Sequence, residues 1–128
     1  MNFFLILLTA QMATQLTHYL AQKKTFGPVR ASSFITLIFI GVTLPFNFEI
    51  KEILHSVCLG ASFVGMSDPM RLTSRQLGLA SIAFALFFYY FIHHFTGLGG
   101  ALGFSAFVGC LTIWVGLSLF RRFTLKRK

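Results

Sequence analysis

Residues 77–120 read LGLASIAFALFFYYFIHHFTGLGGALGFSAFVGCLTIWVGLSLF, and not one Asp, Glu, Lys or Arg interrupts them. A helix needs about 20 mostly apolar residues to cross the hydrocarbon of a bilayer. This stretch holds two such lengths, Leu77 to Phe95 and Ala101 to Phe120, divided by the turn-forming glycines of Gly97 to Gly100. Both runs are too long for barrel strands and lack strict alternation, so they predict helices.

Three more apolar stretches qualify or come close: roughly Asn2 to Ala21, Ala31 to Phe48 (cut by Pro45) and Ile50 to Ser67. The whole chain agrees with them. Of its 128 residues 55% are hydrophobic and 11% charged, where a typical globular domain has about 25% charged. A chain this short has too much surface for its volume to hide 17 Phe and their apolar neighbours from water. The expected fold class is therefore an all-α integral membrane protein of about five transmembrane helices, 2–21, 31–48, 50–67, 77–95 and 101–120. It forms a single polytopic domain over 1–128 with a short basic tail at 121–128. A soluble globule, a disordered tail and a nucleotide-binding α/β fold are excluded.

Charge sets the orientation. With five crossings, ten of the eleven Lys and Arg fall on one side: Lys23, Lys24 and Arg30, then Arg71 and Arg75, then the cluster after Phe120. Lys51 alone falls on the other, beside Glu49 and Glu52. The positive-inside rule puts the ten in the cytoplasm, with the N-terminus outside and the C-terminus inside a plasma membrane of the bacterial inner-membrane type. The first segment carries its charge behind the apolar run rather than before it, so it reads as a retained helix and not a signal peptide. Net charge +8 accordingly reads as topology and lipid-headgroup contact, not nucleic-acid binding.

A motif recurs. Leu59 to Gly65 reads LGASFVG and Leu102 to Gly109 reads LGFSAFVG, alike apart from one inserted residue, and the preceding helices begin Ala31-Ser32 and Ala80-Ser81. Two repeated hairpins after an N-terminal helix would follow. Small residues spaced four apart, Ala61 and Gly65, Gly99 and Gly103, and the ladder Ala101, Ser105 and Gly109, let helix backbones approach closely. Helices three and five are expected to pack there, against each other or a partner.

Polar groups within apolar runs are candidate sites, because an unpaired amide in hydrocarbon costs several kcal/mol. Gln11, Gln15 and His18 share one face of the first helix. They suit an interhelical hydrogen-bonded seam or the wall of a hydrated pathway. At the outer face Glu49, Glu52 and His55 recur at helical spacing, with His93 and His94 brought to the same side. Imidazole and carboxylate can hold a divalent cation or relay protons, and they can equally anchor the interface. Asp68 before Pro69 suits a helix cap. Cys58 and Cys110 lie in apolar runs without CxxC spacing and read as small hydrophobes. The run Gly97 to Gly103 resembles the glycine-rich stretches of small fluoride channels over those residues alone, without the polar and Phe motifs of their pores, and assigns no family.

No hydrolase elbow, zinc-protease, P-loop or dinucleotide motif occurs, so no enzyme and no cofactor is expected. The function expected is transport or channel-like passage of an ion or small solute. The alternative is a non-transporting accessory or assembly subunit of a larger membrane complex. The bilayer and either a second copy or another membrane subunit are the expected partners.

Overall fold

The computed structural model of the protein describes residues 3–23, 27–46, 49–91 and 100–125. They form five α-helices and, among the described residues, no strand: α1 (Phe3–Ala21), α2 (Pro28–Thr43), α3 (Lys51–Gly65), α4 (Ser74–Phe91) and α5 (Ala101–Leu125).

Helix boundaries follow local chemistry and move some of the expected ends. Helix α2 opens at Pro28 and closes at Thr43, where 31–48 was expected. Proline suits a first helical position, where its missing N–H needs no partner. Gly27 before it has φ 70° and ψ 162°, a conformation that a side chain disfavours. At the other end Pro45 cannot continue the hydrogen-bond ladder. Helix α4 begins at Ser74, three residues earlier than expected, because Thr73 caps it: the Thr73 N–H donates to Gln76 Oε1 at 2.9 Å. Thr-Ser-Arg-Gln is half of a capping box. Asp68 does not cap α4 as expected; its Oδ1 accepts the Met70 N–H at 2.9 Å and closes a turn in the α3–α4 loop. Helix α5 continues through Arg121 to Leu125, so much of the expected basic tail is helical. No Gly or Pro interrupts 117–125, and a cation near a helix C-terminus is favoured by the helix dipole.

The helices alternate in direction. Gln15 bonds Ser74 and Gln11 bonds Gly78, so α1 and α4 run antiparallel. Thr14 meets Ala61 while His18 meets Gly65, so α1 and α3 run parallel. The pairs Ser32–Ser62 and Thr43–His55 set α2 against α3, and Gly109 on Phe84 with Phe104 on Phe87 sets α5 against α4. Helix α3 is central and touches each of the others, while α2 and α5 lie on opposite flanks. It is one continuous helix from end to end, with no reversal.

Charge separates along the bundle axis. At one end, the basic end, stand Lys23, Arg30, Arg71, Arg75 and Arg122; at the opposite end the described charges are Glu49, Lys51 and Glu52. The interior is equally ordered by type. Ala10, Ala31, Ala61, Ala80 and Ala85 are fully buried, as are Thr14, Thr17, Ser62 and Ser81, joined by a few larger side chains such as Phe84, Ile6 and Leu77. Bulky apolar side chains turn outward: Phe4 is 71% exposed, Leu37 68% and Phe120 71%. By length and composition one described helix, α5 over Leu102–Phe120, can cross a membrane; α2 is apolar but spans 16 residues. The others fall short because α1 carries two Gln and a His within its turns, α3 has 15 residues, and α4 opens on Arg75 and Gln76.

Candidate functional site

Helix α1 supplies the principal polar seam. Gln11 donates through Nε2 to the Gly78 carbonyl at 3.0 Å. Gln15 Nε2 donates to the Ser74 carbonyl at 3.1 Å, and Ser74 Oγ returns a bond to Gln15 Oε1 at 2.7 Å. Gly78 makes this possible: it has no side chain to cover the carbonyl, and both amides lie within 4 Å of where its Cβ would be. On the neighbouring face Thr14 Oγ1 donates to the Ala61 carbonyl at 3.0 Å.

His18 shares the α1 face but not the α4 seam. The antiparallel register that places Ser74 opposite Gln15 brings His18 level with the α3–α4 loop. There it is 5% exposed, lining a cavity of about 280 Å³ with Gln22, Ser67 and Asp68. Its Nε2 lies 2.7 Å from Gln22 Nε2. With the amide N–H donating, Nε2 is the acceptor and Nδ1 carries the ring proton. Nδ1 is buried without a partner, as are Thr17 Oγ1 and Thr36 Oγ1.

The outer cluster is not assembled among the described residues. Glu49 and Glu52 are exposed, and no group of three His, Cys, Asp or Glu is arranged to hold a metal ion. His55 turns inward, 2.7 Å from Thr43 Oγ1 and edge-on to Phe39. Thr43 uses its one proton on the Phe39 carbonyl at 2.7 Å, so His55 Nε2 must donate to it. That nitrogen is not available as a ligand. His93 and His94 lie outside the described residues.

Helices α3 and α5 do touch, with Leu102 beside Gly60, but the closest approaches of the small-residue ladders are to other helices. Ala61 and Gly65 face α1 rather than α5. A methyl on Gly65 would lie 2.5 Å from the Thr14 carbonyl oxygen and 3.3 Å from His18 N. Gly109 sits the same way on α4, where a methyl in its place would lie 3.0 Å from the Ala80 carbonyl oxygen and 3.2 Å from Phe84 N. In each case a glycine rests on one i to i+4 peptide link of its neighbour. The two copies of the recurring motif therefore end in the same kind of contact but on a parallel helix in one case and an antiparallel helix in the other. Ser105 is buried, Gly103 has open space around it, and Gly99 and the side chain of Ala101 lie outside the described residues. Sequence spacing did not single out Gly60, covered by Phe84 and Leu102, or the buried pair Ser32–Ser62 at 2.7 Å. Ser62 donates to the Leu59 carbonyl, so Ser32 is the donor of that pair. The Ala-Ser pair shared by α2 (Ala31-Ser32) and α4 (Ala80-Ser81) is the one sequence signal for it.

At the basic end two further cavities adjoin along α5. One of about 340 Å³ is lined by Gln76, Ser118 and Arg122, the other of about 520 Å³ by Asp68, Phe107, Cys110 and Leu111, and both by Arg71, Leu72 and Trp114. No known protein family, curated protein or solved structure matches the chain.

Proposed function

We propose that the chain is a small five-pass integral membrane protein of a bacterial-type inner membrane, with the basic end in the cytoplasm. One observation carries this reading: the interior is rich in small and hydroxyl side chains with a few large ones such as Phe84 and Leu77, while many Phe, Leu and Ile side chains are exposed on the outside. In water that arrangement would leave the apolar area unburied. In lipid, where helices gain nothing by hiding Leu from Leu, close backbone approach and interhelical hydrogen bonds hold the bundle. Alternating helix direction and one-ended charge support it. Helix α3, too short by itself for a hydrocarbon core of about 30 Å, is surrounded by protein, where polar ends are tolerated.

Within that reading the polar seam favours a non-transporting accessory or assembly subunit. The Gln11 and Gln15 amides are engaged on α4 and join the two helices. Transport of an ion or small solute is the second reading. It is favoured by the unpartnered His18 Nδ1 beside the 280 Å³ cavity, since buried polar groups without protein partners suit water or a passing solute. Alkaline extraction of membranes tests the first level: the protein should stay with the lipid, and release into the wash sinks the membrane reading. Reconstitution into liposomes tests the second. Solute or ion flux that His18→Ala diminishes would establish transport, while tight vesicles would leave the subunit reading standing.

A further inference from the structure

Along α5 the residues Phe107, Leu111, Trp114, Ser118 and Arg122 recur every three or four positions and so form one stripe. The stripe changes character towards the basic end, from apolar to hydroxyl to cationic, over roughly 22 Å of helix. The α3–α4 loop faces it and contributes Leu72 and Arg71. The apolar part borders the 520 Å³ cavity and the cationic part the 340 Å³ cavity, and Trp114 stands where they meet.

The chemistry of the smaller cavity is that of an anion site. Arg71 and Arg122 line it with no acid, and among the described residues neither guanidinium is held by a carboxylate. Gln76 has its amide oxygen taken by the Thr73 N–H, so it offers N–H donors, and Ser118 adds a hydroxyl. Arginine pairs favour phosphate because the planar guanidinium can bond two oxygens at once. Asp68 borders the larger cavity together with Arg71, but its carboxylate accepts the Met70 N–H and makes no ion pair with that guanidinium. A tryptophan between an apolar groove and a charged rim matches the depth of lipid headgroups.

We propose that this groove binds one anionic phospholipid of the leaflet at the basic end. Its phosphate lies between Arg71 and Arg122, and an acyl chain lies along Phe107, Leu111 and Trp114. The inference rests on the five-pass reading above. It commits to a lipid rather than free phosphate because the anion site opens directly onto the apolar groove.

Trp114 is the one tryptophan of the chain, so its fluorescence reports this groove without any labelling. The protein is reconstituted in phosphatidylcholine vesicles holding a small fraction of either phosphatidylglycerol or phosphatidylcholine with brominated acyl chains. Two arginines at a lipid surface should give the anionic lipid a preference of roughly twenty-five-fold in occupancy of the groove, about fivefold for each cation, read as stronger quenching. Arg71→Ala with Arg122→Ala should bring that ratio close to one, and Arg30→Ala, at the same end but outside the groove, should leave it unchanged. Equal quenching by both lipids in the unaltered protein would overturn the site while leaving the membrane reading intact. So would a loss as large with Arg30→Ala, or reversal by millimolar inorganic phosphate. Protein that stays in the aqueous phase, unquenched by either lipid, would overturn both readings.

Discussion

Gly65 of α3 lies on the backbone of α1, so close that a methyl group in its place would stand 2.5 Å from the Thr14 carbonyl oxygen. The obstacle is main chain, which cannot rotate aside. The same carbonyl belongs to the turn that ends at His18 N, 3.3 Å from that methyl position, so α1 and α3 must separate for any side chain to fit. The α1–α3 pair is thus built on the absence of a Cβ at one position.

Gly65→Ala should accordingly destabilise the bundle by about 1–3 kcal/mol, the usual cost of overpacking. Gly103→Ala, which meets nothing within 4 Å, should be neutral or gain up to about 1 kcal/mol from helix propensity. Unfolding of detergent-solubilised protein, followed by circular dichroism, compares the two. Equal effects would mean that the close approach at Gly65 is not made.

Gln15 and Ser74 exchange two hydrogen bonds between α1 and α4. Gln15→Leu removes both and should cost about 0.5–2 kcal/mol, the range for polar contacts between membrane helices. Ser74→Ala removes one of them. A double-mutant cycle should therefore show coupling between the two substitutions. Strict additivity would place Gln15 outside the seam.

His55 should be found with its proton on Nε2, donated to Thr43. Nitrogen NMR of ring-labelled protein reads the tautomer directly. Thr43→Val removes the acceptor and should lower stability by about 1 kcal/mol, the net worth of one such bond. The companion expectation is that protein prepared without a histidine tag carries no stoichiometric metal near neutral pH. Bound zinc abolished by His55→Ala would show that the outer histidine is a ligand after all.

The two ends of the bundle should lie on opposite sides of the membrane. A cysteine placed at Glu49 should react with an impermeant maleimide applied to intact cells, and one placed at Arg71 only after the cells are opened. Both positions are exposed, so burial does not confound the comparison. Labelling of both from outside would break the orientation drawn from the basic residues.

Much of the bundle is legible along the chain. Five helices follow from where apolar runs meet Pro28, Pro45, Asp68-Pro69 and the glycines before Ala101, because those local signals act within a few residues. Segregation of the cations is legible too, since it needs only the count of crossings between Lys51 and the rest. Spacing also marks which faces carry Gln11, Gln15 and the small residues. What spacing leaves open is the neighbour each face meets. Ala61 and Gly65 have the same pattern whether they lie on α5 or on α1, and only the packing of α1 beside α3 selects the Thr14 carbonyl. His18 belongs by periodicity with the two glutamines, yet the register against α4 leaves it level with a loop. Glu49, Glu52 and His55 align on an ideal helix, but His55 is drawn inward by Thr43, twelve residues earlier. Arg71 and Arg122 lie far apart in sequence and border one cavity because α4 and α5 run antiparallel. Helix content and charge placement are local properties of a chain, whereas the partner of a given side chain depends on how whole helices dock, and that is decided by tertiary structure alone.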